Sequence, residues 1–190
     1  MLTVGCAFAF IQWGKIRSSP QPTSPLVLQA AVGQPDQDQV APAVPSLPAR
    51  LIVPSIDVDS LIEYSGVTPT GNMATPSNIA KTGWYKLGPL PGNKGSAVMA
   101  GHVNGPQGQP GVFARLAELR AGDTIETVDT NGLSAIFKVQ HTKRYGKDDQ
   151  PKEVFHSAQG SHLNLITCVG DWDEAENQYS ERLVVFADKL

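Results

Sequence analysis

From Arg50 to the end of the chain, apolar residues come in short runs that are separated by glycine, proline, asparagine and aspartate. Runs of about four to eight residues that are rich in β-branched side chains are typical of strands and too short for most helices. Pro54 in the first run indicates a bend or an edge. The spacing therefore predicts an all-β sandwich or barrel. The candidate strands are RLIVPS, SAVMAGH, DTIETVD, SAIFKVQHTKRY, LNLITC and ERLVVFA.

One segment in this part of the chain, GVFARLAELRAGD, has a helical pattern instead. Val112, Leu116 and Leu119 fall on one helical face, Phe113 lies beside them, and Gly122 is a suitable stop. The pattern predicts one short helix. The segments SGVTPTGNMATP and KLGPLPGNKG are rich in turn residues and are predicted to be loops.

The N-terminal part of the chain has a different composition. Residues 1–14 are almost entirely apolar, but a bilayer-spanning helix needs about 20 such residues. We interpret them as part of a truncated membrane anchor or signal, with a short apolar tail as the alternative. Residues 15–48 are rich in Pro, Gln, Ser and Ala and predict an extended, disordered linker. This order predicts a folded domain, residues 49–190, held off a membrane surface.

Charge and cysteine content exclude several classes of function. The net charge is −3 and the charged residues of both signs are interspersed, so no basic surface for nucleic acid is predicted. The two cysteines, Cys6 and Cys168, lie in segments of different character and are too few for a disulfide framework or a zinc cluster. Cys168 is therefore predicted to be a free thiol.

Cys168 follows the apolar residues Leu163, Leu165 and Ile166, and Gly170 follows it, so it is predicted to end a strand. A strand end holds a side chain rigidly while the next loop leaves it accessible to substrate, which suits a nucleophile. The alternative is a buried structural cysteine, because unpaired cysteines commonly act as small hydrophobic residues.

A reactive thiol needs a histidine or a cation nearby, because the thiolate is the nucleophile and an ordinary thiol is protonated at neutral pH. Of the four histidines, His102 ends the run SAVMAGH and so repeats the predicted placement of Cys168. His141 lies within a predicted strand, and His156 and His162 flank a polar loop. His102 is the candidate; its alternative role is that of a hydrogen-bonded structural histidine.

Arg182 lies beside Glu181 at the start of the last predicted strand. A planar guanidinium with fixed donors could stabilise negative charge on a carbonyl oxygen under attack by sulfur. The alternative is a surface ion pair with Glu181 or another carboxylate.

These motifs together resemble the sortases, which are bacterial cell-surface cysteine transpeptidases. The resemblance rests on the motifs AGH, LITC and ERLVVFA in this order. They lie within a predicted all-β domain that follows an apolar segment and a Pro-rich linker. It covers the chain from about Ala49 to Leu190 and includes GWYKLGPLPGNKGSAVMAGHVN, VFARLAELRAGDTIETV and LITCVGDWD. The VGDWDEAENQYS segment is nearer in character to actinobacterial-type branches than to the best-studied class A branch.

The resemblance implies a closed eight-stranded β-barrel with one or two short helices. It implies that Cys168 is the nucleophile, His102 the family histidine and Arg182 the family arginine, with no metal or organic cofactor. It also implies cleavage of a C-terminal LPxTG-like sorting signal between Thr and Gly through a thioester. The acyl group of the surface protein would pass to a peptidoglycan precursor or a pilin amine. The enzyme would lie at the extracytoplasmic face of the membrane, anchored by its N-terminus.

Other classes of protein fit less well. A papain-type hydrolase would have its histidine after a cysteine on a helix, whereas His102 precedes Cys168 here. An L,D-transpeptidase would have a Ser-His-Gly segment just before the cysteine, which this chain lacks. The remaining alternative is a non-catalytic extracellular β-domain that binds wall polymer or protein and buries Cys168.

Overall fold

The computed structural model describes residues 46–190, so the predicted anchor and most of the predicted linker lie outside the described residues. Residues 46–190 form a closed barrel of eight strands, with one short α-helix and two 3₁₀ turns, which confirms the predicted fold. The strands are β1 (Pro48–Val53), β2 (Val58–Ser65), β3 (Thr82–Tyr85), β4 (Gly95–Ala100), β5 (Thr124–Asp129), β6 (Ser134–Gly146), β7 (Ser161–Asp173) and β8 (Gln178–Lys189).

The strands follow the order β1-β2-β3-β4-β7-β8-β6-β5 around the barrel, and β5 pairs with β1 to close it. Two of the pairings, β2 with β3 and β4 with β7, are parallel. Because β4 and β7 run in the same direction, the C-terminal end of β4 at Ala100 lies opposite Ile166, in the middle of β7. The antiparallel β7–β8 pairing places Cys168 opposite Arg182.

Alternation along the strands separates the barrel interior from its outer face. On β7, Leu163, Leu165 and Thr167 are buried, as expected for side chains that point inward from every second position. Full burial of one such leucine contributes roughly 1.5–3 kcal/mol, so this alternation fixes the register of the strand. Cys168 and Ile166 consequently face outward.

Part of the outer face is itself covered. The α-helix α1 (Lys152–Phe155), in the β6–β7 connection, buries Val154 completely. Val154 packs with Val98, Tyr145 and Val184 in a second apolar cluster outside the barrel. The covered face therefore forms one wall of a depression that includes Cys168.

The prediction of a helix over GVFARLAELRAGD is wrong. The segment coils through turns and contains only a 3₁₀ turn, Leu116–Glu118. Phe113, Leu116 and Leu119 are buried, so the apolar pattern correctly identified core residues. The segment is closed by bonds three residues apart, such as that from the Leu116 N–H to the Phe113 carbonyl at 3.1 Å, and it ends at Leu119, which has extended backbone.

None of the helices among residues 46–190 is long and apolar enough to cross a membrane.

Candidate active site

Cys168 lies on the outward face of β7, is half-buried, and is a free thiol within the described residues. The prediction that it ends a strand is wrong, because β7 continues to Asp173. Beyond the barrel, β7 and β8 continue as a two-stranded hairpin. The ladder is interrupted between Val169 and Trp172, where Gly170 has φ of +87°. Cys168 thus lies two residues before a bulge at Gly170, a feature that commonly redirects side chains near active sites.

Arg182 is the direct cross-strand neighbour of Cys168 and lies within β8, so the prediction that it opens the strand is also wrong. Its Nη1 donates to the carbonyls of Tyr179 at 2.9 Å and Glu181 at 3.0 Å. These bonds orient the guanidinium. Within residues 46–190, its Nε and Nη2 donate to no protein acceptor, which leaves three N–H donors for a substrate oxygen.

The alternative of a surface ion pair for Arg182 is not borne out within the described residues. The carboxylate of Glu181 pairs instead with Arg144 on β6, at 3.0 Å. Arg182 forms no salt bridge to any carboxylate in residues 46–190, although it is half-buried. Its positive charge lies beside Cys168 and acts on the thiol.

His102 follows β4 by two residues and is half-buried. The N–H of Gly101 donates to the carbonyl of Ile166 at 3.0 Å, which continues the β4–β7 pairing beyond the end of β4. This register brings His102 to the level of Cys168 on the adjacent strand. The imidazole Nε2 lies 2.8 Å from the carbonyl oxygen of Pro76. Because a carbonyl only accepts, Nε2 carries a proton in this arrangement.

The residues just before His102 and Cys168 hold the two strands together. The Thr167 hydroxyl is buried and donates to the carbonyl of Gly101 at 2.8 Å. A Cβ at position 101 would lie 2.4 Å from the Phe113 ring, so only glycine allows this close packing. The Thr before the cysteine and the Gly before the histidine therefore serve to align the candidate residues.

Burial and charge act in opposite directions on the thiol. Burial raises the pKa of Cys168, since it disfavours the thiolate, and the positive charge of Arg182 opposes this rise. The burial effect is the larger, so the thiol form is favoured at neutral pH in the free protein. A reactive thiolate then depends on the substrate complex and on the two neighbouring basic side chains.

This balance predicts the pH dependence of alkylation. In a Cys6→Ser chain, so that only Cys168 reacts, the iodoacetamide rate is expected to rise with a midpoint above that of an ordinary cysteine. Arg182→Gln should move the midpoint further upward, because removal of the cation raises the thiol pKa. Arg144→Lys, which changes a neighbouring arginine but keeps the cation paired with Glu181, is the control. An unchanged midpoint in Arg182→Gln would contradict the electrostatic coupling.

Cys168 and Arg182 line a groove of about 640 Å³ on the outer face of the barrel. The β6–β7 connection, including α1, forms one side of it, and the loop before β3 forms another. Sequence reasoning did not identify these lining residues, because they come from separate segments that carry no shared motif. Apolar side chains in the lining include Met73, Tyr85, Phe155, Ile166 and Val184.

The other histidines have different surroundings. His162 Nδ1 lies 2.6 Å from Asp188, and the His141 ring stacks on Phe186 with centroids 4.7 Å apart. Together with His156, they line a second cavity, of about 500 Å³, which does not include Cys168; His156 also lines the groove beside Cys168. Among residues 46–190, no group of three or more His, Cys, Asp or Glu side chains is arranged to hold a metal ion.

Comparisons with known proteins agree with this fold. The chain is similar to sortase C1 of Streptococcus agalactiae in complex with MTSET, with a TM-score of 0.57 and 21% identity over 75% of this chain and 68% of that one. Sortase C-1 of Actinomyces oris gives a TM-score of 0.58 and 22% identity, over 75% of this chain and 73% of that one. A lid mutant of Corynebacterium diphtheriae sortase A gives a TM-score of 0.58 and 20% identity, over 78% of this chain and 73% of that one. None of the curated proteins matches significantly in sequence.

The family model for the sortase domain matches residues 51–190, which is most of the chain and includes every strand after β1. The match covers His102, Cys168 and Arg182, and the eight-stranded barrel agrees with the solved sortase structures. The resemblance inferred from the sequence motifs is thereby confirmed, and the chain belongs to the sortase family of cysteine transpeptidases.

Proposed function

We propose that this chain cleaves a C-terminal, LPxTG-like sorting signal between Thr and Gly and transfers the new acyl group to an amine. The observation that carries the proposal is the cross-strand pairing of Cys168 with Arg182 in a groove large enough for an extended peptide. The arginine has N–H donors without protein acceptors in residues 46–190, beside a half-buried thiol. Nucleophile and anion-binding group thus face the same space.

In the first half-reaction, the Cys168 thiolate attacks the scissile carbonyl carbon and forms a C–S bond. The carbonyl oxygen gains negative charge, which the N–H donors of Arg182 stabilise. The C–N bond then breaks, and protonated His102 gives its proton to the leaving amine. A thioester on Cys168 remains.

In the second half-reaction, an acceptor amine attacks the thioester carbon and His102 takes up its proton. The C–S bond breaks, an amide forms and the thiolate is regenerated. The donors would be surface proteins with a sorting signal, and the acceptor a peptidoglycan precursor or a pilin amine. We place this reaction at the extracytoplasmic face of the membrane, with the N-terminal segment as anchor.

The test is incubation of the 190-residue chain with LPxTG-type peptides and hydroxylamine, followed by mass spectrometry. The expected products are a threonine hydroxamate, a free peptide that begins with Gly, and an acyl adduct on Cys168. A scrambled peptide is the control. Cleavage at another bond would correct the sorting motif. No adduct with any member of a peptide library would favour the non-catalytic binding domain.

Arg182→Lys separates an oxyanion role from a simple charge effect. Lysine keeps the positive charge but loses the planar array of donors. We expect the acylation barrier to rise by about 2.7–4 kcal/mol, as for loss of one oxyanion-hole donor, with little change in melting temperature. Single-turnover acylation and thermal melting measure the two effects.

Arg144→Lys is the matched control for this substitution, because Arg144 is a neighbouring arginine in an exposed ion pair. Its acylation rate should equal that of the parent. A parent-like rate in Arg182→Lys would remove Arg182 from the catalytic residues.

A further inference from the structure

We propose that Glu63 is a positioning residue that acts on His102 through the peptide group between Pro76 and Ser77. The carbonyl of this peptide accepts from His102 Nε2 at 2.8 Å, and its N–H donates to Glu63 Oε2 at 2.8 Å. Carboxylate, peptide and imidazole therefore form one continuous hydrogen-bonded chain. The proposal rests on the catalytic role proposed for His102.

The geometry of a trans peptide makes this chain effective. Its N–H and C=O point in opposite directions, so a carboxylate on one side and an imidazole on the other lie along the peptide dipole. Negative charge at the N–H makes the carbonyl oxygen a stronger acceptor, since consecutive hydrogen bonds polarise one another. The result is a fixed ring orientation for His102, with the proton on Nε2 and Nδ1 left for proton transfer.

Glu63 is well suited to this position. Its carboxylate also accepts from the Ser77 hydroxyl, at 3.0 Å and 3.2 Å, and lies 3.5 Å from Lys81 Nζ. The side chain is only 22% exposed, so water screens its charge incompletely. The Ser77 N–H, with weaker help from Lys81, lowers the pKa of Glu63, so the group remains a carboxylate at neutral pH.

The loop that carries the peptide is packed against the barrel. Pro76 is buried, and a Cβ on Gly83 of β3 would lie 3.3 Å from the Pro76 ring and 2.3 Å from the Ser65 hydroxyl. The loop also meets the segment after His102, because the Val112 N–H donates to the Ile79 carbonyl at 2.8 Å. Other contacts therefore hold this loop against the barrel, and Glu63 fixes the orientation of the Pro76–Ser77 peptide within it.

The test is Glu63→Ala, read by nuclear magnetic resonance of the ¹⁵N-labelled chain. Long-range ¹H–¹⁵N correlations, recorded at about pH 9 where an ordinary imidazole is neutral, report which ring nitrogen of His102 carries the proton. We expect the Nε2–H tautomer in the parent and a mixture of tautomers in Glu63→Ala. The signals are assigned by their loss in His102→Gln.

Kinetics supply the second readout. Because Glu63 does not line the groove, we expect kcat to fall about tenfold to a hundredfold with KM nearly unchanged. Glu63→Gln keeps an acceptor for the Ser77 N–H but loses the charge, so its kcat should lie between those of the parent and Glu63→Ala. It also serves as the test variant if Glu63→Ala does not fold.

Asp59→Ala is the matched control, because it removes a carboxylate from the same strand, in an exposed ion pair with Arg50. A parent tautomer with parent kcat in the Glu63 variants, or an equal loss in Asp59→Ala, would overturn the positioning role. The tautomer readout needs no activity. If His102→Gln acylates at the parent rate, it is the catalytic role of His102 that fails instead.

Discussion

A Cys168→Ala chain is expected to lose both peptide cleavage and acyl transfer while it keeps its fold. No other cysteine lies in residues 46–190, so the described barrel has no second thiol to form the acyl intermediate. The lost sulfur is half-buried on the outer face, and its removal should lower stability by only about 1 kcal/mol. Mass spectrometry of the peptide products and a circular dichroism melting curve measure the two effects.

Cys168→Ser is the companion variant. It keeps the shape of the side chain but replaces the thiol with a hydroxyl, which is far less acidic and so does not form the anion that the proposed attack requires. We expect it to be inactive as well, with a parent-like melting curve. Turnover near the parent rate in Cys168→Ala would show that another group attacks the substrate.

The sequence predicted six of the eight strands and missed β2 and β3, whose patterns are weaker although Val58 and Trp84 are buried in the core. β3 has only four residues, and β2 mixes acidic side chains with apolar ones. The ends of β7 and β8 lie in a hairpin outside the barrel, so their polar residues carry no core-facing alternation. The segment after His102 was read as a helix because three buried residues in a coiled segment can share helical spacing.

For the site, residue chemistry and the family resemblance selected Cys168, His102 and Arg182 as candidates, but the reason given from strand ends was partly wrong. What joins them is register. The β4–β7 and β7–β8 pairings bring together positions that are far apart in the chain, and no local periodicity predicts which strands are neighbours. The Pro76 carbonyl was not predicted, since every residue has one and it leaves no signal in the sequence.

His102→Ala is expected to slow both half-reactions by about 10²- to 10⁴-fold, the usual contribution of a positioned acid–base group. Acylation should slow because the leaving amine has no proton donor, and aminolysis because the attacking amine has no base. Stopped-flow acylation and hydroxylamine trapping of the preformed thioester measure the steps separately. His162→Ala is the control, because His162 also makes two hydrogen bonds, to Asp188 and the Gln159 carbonyl, but lies at the far end of β7.

A structural effect of His102→Ala is separable from the chemical one. The substitution leaves the Pro76 carbonyl without its donor, which costs about 1–3 kcal/mol when a buried acceptor loses its partner. The melting temperature should therefore fall modestly, but a lower melting temperature alone does not slow a folded enzyme. If the variant forms the thioester rapidly and fails only at aminolysis, His102 acts as a base alone. The leaving amine must then take its proton from solvent or from the substrate, and the two-step assignment is wrong.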